Sequence, residues 1–180
     1  MLICDMRDVL FQKNIEDYEY KADIDLYVFE EYMKLEEEKA WNEPWLLLLE
    51  KQYGEKFYNS IKHNKIICCG TTIGKLKSIK NYVRKQVEHL NKCSEKVRKR
   101  VNIDQGIHNY LIYTNKLSNI KKMSNDDSFI NTVCNDPFKK INDKNEIINK
   151  NGDVPYVVHQ YDRFPIELKK KISEKYNFII

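Results

Sequence analysis

The sequence predicts an α/β protein, and three of its features carry that prediction. Strand-like and helix-like segments alternate along the chain, as they do in proteins that pack helices on a sheet. The segment KIICCG, residues 65–70, is a continuous apolar run that stops at glycine, a pattern typical of a strand buried on both faces of a largely parallel sheet. Over residues 76–90, apolar residues recur at steps of three and four, which indicates an amphipathic helix.

The first third of the chain predicts two strands and two helices. Residues 1–4 are a short apolar run that ends in the charged turn DMRD, and residues 24–29 form a second strand candidate. Residues 30–40 are acidic and favour a helix. A further helix is predicted over 42–54, because Asn42 can cap it, Pro44 lies in its first turn and Gly54 ends it.

The rest of the chain continues the alternation. The clearest helical pattern covers 76–90, and a second helix begins at Asp104, a natural cap. Residues 118–150 predict short strands and polar turns. A last strand over 154–158 leads to a basic amphipathic helix over 165–176.

Length and composition predict a single domain over residues 1–180. The chain is 42% hydrophobic and 32% charged, which is typical of a water-soluble globular protein. The longest apolar run of membrane character, 45–49, is too short to cross a bilayer, and the chain shows no signal-peptide pattern. We therefore expect a cytoplasmic protein with no transmembrane segment. Its cysteines are odd in number and lack a Cys-x-x-Cys spacing, which favours reduced thiols: Cys4, Cys68, Cys69, Cys93 and Cys134.

The charges are divided unevenly along the chain. Residues 1–60 carry a net charge of −8 and residues 61–180 a net charge of +12. Such a division suits a site that holds a phosphorylated ligand near a metal-binding edge, although solvated helix faces of either sign are an equally good interpretation. The basic excess follows an acidic third and no nucleic-acid-binding motif is present, so we expect no nucleic-acid partner.

Polar side chains follow three of the predicted strands, which points to a ligand site. In open α/β sheets, ligands bind beyond the carboxyl ends of the strands. Asp5 and Asp8 offer hard oxygen ligands for a divalent cation, and His159 adds a nitrogen ligand that shifts the preference from Mg²⁺ towards Mn²⁺. The three residues predict a metal site that holds a diphosphate. By itself, Asp-x-x-Asp is more often a turn or an arginine salt bridge, and a lone histidine after a strand is a structural residue about as often as a ligand.

The CGTTIG segment supplies a second group of candidates. Gly70 and Gly74 flank Thr71 and Thr72, and glycine permits a close approach of the backbone to a ligand. We predict that Gly70 and both threonines bind substrate. The alternative is a strand-to-helix turn that needs positive φ angles.

Two further pairs of residues are candidates. Asp104 and Gln105 lie at a helix start, where aspartate is expected as a cap, and a second role for Asp104 would be to grip a substrate hydroxyl. Arg7 and Arg163 could each bind a phosphate group with two hydrogen bonds. Alternatively, the arginines tie the two loops together through neighbouring aspartates.

Four ordered segments resemble a group of GT-A-type glycosyltransferases. The segments are ICDMRDVLFQ, IICCGTTIG, DQGIHNYLIY and NGDVPYVVHQYDRFP, at residues 3–12, 66–74, 104–113 and 151–165. The group carries a strand ending in Asp-x-Arg-Asp-Val, a Cys-Gly-Thr-Thr-x-Gly turn, a helix start with Asp-Gln-Gly-x-His-Asn-Tyr, and Val-His-Gln-Tyr-Asp-Arg near the end.

The resemblance implies transfer of a sugar from a nucleotide-sugar donor to a glycan or protein acceptor, with Mn²⁺ or Mg²⁺ on the diphosphate. Asp5 and Asp8 resemble the metal motif of the group, with its spacing widened by one residue. His159 resembles the late histidine that completes the metal shell. Asp104 and Gln105 resemble the catalytic pair that faces the donor sugar and the acceptor.

The chain departs from the group at its beginning. In GT-A folds a nucleotide-binding βαβ half, about 30 residues or more, precedes the aspartate motif, whereas four residues precede Asp5 here. The sequence thus predicts an incomplete GT-A-like mixed sheet, the carboxyl-terminal portion of a glycosyltransferase. The exposed sheet edge predicts self-association. A catalytically inactive interaction module and a metal-dependent phosphoesterase are the alternatives.

Overall fold

The computed structural model describes residues 1–100, 102–138 and 140–178. Within these ranges the chain forms a mixed α/β fold, as the sequence predicts. The strands are β1 (Leu2–Cys4), β2 (Val9–Phe11), β3 (Leu26–Lys34), β4 (Lys65–Gly74), β5 (Ile120–Met123), β6 (Ile130–Thr132), β7 (Lys140–Ile141), β8 (Ile147–Ile148) and β9 (Val157–His159). The α-helices are α1 (Asn42–Tyr53), α2 (Tyr58–Ile61), α3 (Leu76–Asn91), α4 (Glu95–Arg98), α5 (Ile103–Tyr113) and α6 (Ile166–Tyr176).

The strands form two principal sheets. The larger has the order β1-β4-β3-β5, with β4 antiparallel to both β1 and β3 and with β3 parallel to β5. The smaller has the order β2-β9-β6, in which β9 is antiparallel to β2 and parallel to β6. Strands β7 and β8 form a separate hairpin. Both principal sheets are mixed, so the expectation of a largely parallel arrangement around β4 is wrong.

Two segments differ from the sequence prediction. Residues 30–34 continue β3 instead of opening an acidic helix, and residues 71–74 continue β4 instead of forming a turn. Glu30 and Glu31 favour a helix by intrinsic propensity, but pairing of residues 28–30 with the buried strand β4 outweighs that preference. In β4, Thr71 and Thr72 are β-branched and suit a buried strand.

The ladder between β3 and β4 is irregular. Val28 pairs with Thr72 and its neighbour Phe29 pairs with Cys68, so Cys69, Gly70 and Thr71 lie between consecutive partners. A bulge of this kind bends a strand and changes the direction of its side chains. It places Gly70 beside the end of β1.

Helices α1, α3 and α5 cover the larger sheet. A cluster of buried apolar residues joins α1 and α5, where Gly106 allows close approach: a Cβ atom there would lie 2.9 Å from the Cβ of Trp45. The apolar stripe of α3 is only partly buried, since Ile79 is covered whereas Val83 and Val87 are 42% and 51% exposed. A second cluster, centred on Phe129, connects the two principal sheets.

Strand β1 lies at one edge of the larger sheet. Self-association through this edge stays a prediction. Among the residues that the structure describes, no helix combines the length and apolar character required to cross a lipid bilayer.

Candidate metal centre and substrate cavity

Two aspartates and a histidine from the two ends of the chain lie together. Ligand atoms of Asp5, Asp8 and His159 all lie within 4.8 Å of one another. The Nε2 atom of His159 is 3.1 Å from Oδ2 of Asp5 and 3.6 Å from Oδ1 of Asp8. The side chains of His159 and Asp8 are 2% and 10% exposed, and that of Asp5 is 59% exposed. The group therefore has a buried base and one side open to solvent.

Strand pairing brings these residues together. Val9 of β2 pairs with His159 of β9, and the backbone N–H of Gln160 donates to the carbonyl of Asp8 at 2.6 Å. Asp5 directly follows β1, and its N–H donates to the carbonyl of Gly70 at 2.9 Å. The sequence predicts convergence at a common carboxyl edge, but β4 runs antiparallel to β1, so its own carboxyl end lies at the opposite end of this pairing. The bulge in β4, not its end, contributes to the site.

Gly70 makes room for two of the three side chains. A Cβ atom at this position would lie 2.5 Å from Nε2 of His159 and 2.7 Å from Oδ2 of Asp5, far inside van der Waals contact. The sequence predicts that Gly70 lets the backbone approach a substrate. In the structure the space is filled by the aspartate and the imidazole.

The second nitrogen of His159 has its own partner. The Sγ atom of Cys68 lies 3.1 Å from Nδ1 of His159, and both side chains are buried. Cys68 also hydrogen-bonds Glu31, which lies in the irregular part of β3. An N–H at Nδ1 that donates to the sulfur leaves Nε2 free to bind a cation, as in metal sites where an outer partner fixes the histidine tautomer.

The electrostatics follow from this packing. Burial lowers the pKa of His159, but the charge and hydrogen bonds of Cys68 and Asp5, together with the charge of Asp8, outweigh burial and raise it to about 11, so a cation that binds Nε2 must displace a proton from it. The hydrogen bond from His159 lowers the pKa of Asp5. Burial raises the pKa of Glu31 to about 7.

Two of the three side chains, Asp5 and His159, line a larger cavity of about 550 Å³. Four carboxylates contribute to its lining, and no lysine or arginine occurs among the lining residues that the structure describes. The lining is made by Asp5, Glu31, Glu38, Trp41, Asn42, Trp45, Cys68, Cys69, Gly70, Asn102, Asp104, Gln105, Cys134, Asn135, His159 and Gln160. An anion therefore enters this cavity favourably only with a cation beside it.

Asp104 faces the same cavity from α5. It lies in the first turn of the helix and is exposed, while the cap position is taken by Asn102 with φ 58°, so the prediction of Asp104 as the cap is wrong. The thiol of Cys69 lies 3.9 Å from Oδ2 of Asp104, and burial together with this carboxylate raises the pKa of Cys69. Asp104 can accept a hydrogen bond from a ligand hydroxyl.

Gln105 holds strand β4. Its Oε1 atom accepts from the N–H of Cys69 at 2.7 Å, and its Nε2 atom donates to the carbonyl of Ile67 at 2.8 Å. One turn later, Asn109 accepts from the N–H of Ile67 at 2.8 Å and donates to its carbonyl at 2.9 Å. Strand β1 pairs with β4 only at residues 71–73, so these two amides take the place of a neighbouring strand along 67–69.

Four other predicted binding residues lie away from the cavity lining. Thr71 and Thr72 are fully buried in β4, because the strand continues where a turn was expected, so a ligand in the cavity does not reach their side chains. Arg7 and Arg163 are exposed. Arg163 donates a hydrogen bond to its neighbour Asp162 at 2.9 Å. The positive charge of Arg7 contributes to lowering the pKa of Asp5.

The donor set suits the cation that the resemblance implies. Two carboxylates and one imidazole that converge from three sides are ligands that Mn²⁺ accepts and that Mg²⁺ accepts less readily because of the nitrogen. Asp8 is a buried carboxylate, and burying such a charge is costly unless a cation or a hydrogen-bond donor compensates it. The residues fit a divalent cation with open positions towards the cavity.

Comparisons with known proteins leave the geometry as the basis for any functional conclusion. No protein-family model, no curated protein and no solved structure matches the chain.

Sequence reasoning missed several residues of the cavity. The sequence pattern assigns Glu31 to a helix, treats Cys68 only as a reduced thiol and does not single out Trp41, yet all three line the cavity. The Cys-Cys-Gly run is a usable signal, because its cysteines directly adjoin the predicted binding residue Gly70; both thiols line the cavity, since β4 bulges at residues 69–71. The sequence contains no comparable signal for Trp41.

Proposed function

We propose that the chain carries the metal-binding portion of a GT-A-type glycosyltransferase, which transfers a sugar from a nucleotide-sugar donor. The observation that carries the proposal is the convergence of Asp5, Asp8 and His159 beside a cavity that Asp104 also lines. The four sequence segments that resemble such enzymes each contribute a residue to this cavity: Asp5, Gly70, Asp104 and His159.

The proposed roles follow from the chemistry of the side chains. Asp5, Asp8 and His159 hold Mn²⁺ or Mg²⁺, which when bound neutralises charge on the donor diphosphate. Cys68 orients the imidazole. Asp104 accepts a hydrogen bond from a hydroxyl of the sugar or acceptor. Gln105 acts as a support of β4, since both ends of its amide are engaged with the backbone.

Electrostatics make the role of the cation testable. Because the described lining carries carboxylates and no lysine or arginine, a nucleotide diphosphate should bind only together with the metal ion. Calorimetric titration with UDP-glucose, UDP-N-acetylglucosamine, GDP-mannose and GDP-fucose, each with and without Mn²⁺, checks this. We expect binding of at least one donor with Mn²⁺ and no binding of that donor without it.

A matched pair of variants separates the site from general effects. Asp8→Asn should abolish donor binding, and Asp153→Asn, which changes an exposed aspartate outside the cavity lining, should leave it intact. Absence of Mn²⁺-dependent binding of every donor in the wild-type chain contradicts the proposal.

A second candidate is a catalytically inactive module that keeps the fold for protein contacts. Strand β1 at a sheet edge favours it, because an edge strand offers unpaired backbone groups to a partner strand. The 3.1 Å contact between His159 and Asp5 favours the first candidate, since an inactive module has no need to keep this geometry. Release of phosphate from p-nitrophenyl phosphate with Mn²⁺ would instead indicate a phosphoesterase.

A further inference from the structure

The large cavity contains an aromatic surface that the metal centre does not use. Trp41 lines the cavity and is 60% exposed, whereas its neighbour Trp45, the other lining tryptophan, is 7% exposed. An exposed indole at a cavity wall offers a flat apolar face and a polar N–H, a combination that is enriched at contact sites.

Trp41 is held in place by its surroundings. Its backbone N–H donates to Oε2 of Glu38 at 3.0 Å, and the same carboxylate oxygen accepts from the N–H of Asn42 at 2.7 Å. The rings of Trp41 and Trp45 are 5.9 Å apart and tilted by 35°. Trp45 packs against Gly106 of α5, so its contact with Trp41 links the Trp41 ring to the helix that carries Asp104. An indole has only two rotatable side-chain bonds, so it loses little conformational entropy when a ligand stacks on it.

The chemistry around Trp41 favours a neutral, hydroxyl-rich ligand. Exposed amides of Asn102 and Asn135 line the same cavity, with Gln160, and each amide offers both donors and an acceptor. The carboxylates of Glu38 and Asp104 accept hydrogen bonds from hydroxyls but repel phosphate, sulfate and carboxylate groups. A pyranose ring combines an apolar C–H face with hydroxyl groups at its edge, which matches an indole surrounded by amides and carboxylates.

We propose that Trp41 is the stacking surface of an acceptor subsite, and that the acceptor is a neutral sugar. The role of the bound sugar as an acceptor rests on the proposed function. The inference narrows the class of acceptor from a glycan or a protein to a glycan. Trp41 stacks on the C–H face of the sugar ring, and the amides and Asp104 bind its hydroxyls.

Saturation-transfer NMR on the whole chain tests the subsite directly. The probes are the methyl α- and β-glycosides of glucose, galactose, mannose and N-acetylglucosamine, with methyl glucuronide as the anionic counterpart and uridine and guanosine as stacking competitors. We expect saturation of the C–H protons of at least one neutral glycoside, and weaker binding of the glucuronide. Failure of every neutral glycoside to bind, or preference for the nucleosides, overturns the inference.

Substitutions of Trp41 separate stacking from folding. Trp41→Ala should weaken binding of the glycoside about tenfold, and Trp41→Tyr should restore much of it because tyrosine also offers an aromatic face. Leu47→Ala is the matched control, since Leu47 is a 39% exposed residue of α1 outside the cavity lining. Affinity that is unchanged in Trp41→Ala, or equally lost in Trp41→Tyr and Trp41→Ala, contradicts the stacking role; circular dichroism confirms that each variant is folded.

The outcome is distinguishable from that of the proposed function. Trp41→Ala should keep the affinity for Mn²⁺, and Asp8→Asn should keep the affinity for the glycoside. Glycoside binding that depends on Trp41, without any Mn²⁺-dependent binding of a nucleotide sugar, would support the sugar subsite and contradict the proposed glycosyltransferase function.

Discussion

Gly70 is the residue on which the geometry of the metal centre depends most. The imidazole of His159 and the carboxylate of Asp5 both lie where a Cβ atom would be. Gly70→Ala should therefore push these side chains apart and abolish Mn²⁺ binding, measured by calorimetry. Gly54→Ala is the control: Gly54 has φ 67° and no atom within 4 Å of an added Cβ, so we expect a cost of about 1–2 kcal/mol in stability from backbone strain. Mn²⁺ affinity retained in Gly70→Ala would contradict this role of the glycine.

Cys68 orients the imidazole of His159, so removing the thiol should weaken the binding of a metal ion. The 3.1 Å contact between Sγ and Nδ1 fixes which ring nitrogen faces Asp5 and Asp8. Cys68→Val should weaken Mn²⁺ binding about 10- to 100-fold, the usual effect of losing such an outer partner. Cys68→Ser, which keeps a hydrogen-bond acceptor, should bind nearly as well as the wild type. Equal affinities of the valine and serine variants would show that the thiol only fills space.

At the scale of elements, the amides of α5 replace a missing strand beside β4. Gln105→Ala and Asn109→Ala each leave buried backbone groups of residues 67–69 without a partner, and we expect each to lower the free energy of unfolding by about 1–3 kcal/mol. Urea unfolding measures this. Asn91→Ala, at an exposed position at the end of α3, should change it by less than about 0.5 kcal/mol. Unchanged stability of both α5 variants would contradict the strand-like role.

The elements also show what the sequence could predict. Long segments with a clear period, 76–90 and 104–113, correspond to α3 and α5, and the apolar run at 65–70 lies in β4. Strand direction was not predictable, because the apolar pattern of a buried strand is the same in parallel and antiparallel pairing. The bulge at Gly70 left no local signal apart from glycine itself, which is why a turn was expected there.

The candidate site was predictable in part for a similar reason. Ligand chemistry and order along the chain were sufficient to select Asp5, Asp8 and His159, which lie together. The sequence does not indicate which polar side chains are buried. It therefore predicts Thr71 and Thr72 as ligand contacts, although the fold covers them completely. Residues that act through tertiary contacts, such as Cys68, become visible only in the structure.

For the molecule as a whole, a buried histidine should make the free energy of unfolding decrease as the solution becomes more acidic. His108 is fully buried in α5 with its Nδ1 atom 2.8 Å from the hydroxyl of Tyr82, and burial lowers its pKa from 6.5 to about 3. Below about pH 6.5 the unfolded chain binds a proton that the folded chain does not, so stability falls as the pH is lowered towards about 3. This histidine contributes about 1.4 kcal/mol per pH unit to the slope.

Urea unfolding at several pH values between about 4 and 7 measures this slope. His108→Gln should reduce the slope by about that contribution, because the unfolded chain then gains no proton at that position. Asn91→Ala is the control, since Asn91 is exposed and carries no titratable group, and it should keep the slope. Identical slopes in the wild type and in His108→Gln would contradict the assignment.

The proposed function depends above all on a divalent cation bound between the two ends of the chain. Titration of Mn²⁺ into the 180-residue chain, followed by the electron paramagnetic resonance signal of free Mn²⁺, tests this most directly. We expect one bound ion in the wild type and in Asp153→Asn, and affinity at least about tenfold lower in Asp8→Asn, which corresponds to ~1.4 kcal/mol. Equal binding of Mn²⁺ by the wild type and by Asp8→Asn would contradict the metal centre and the function proposed from it.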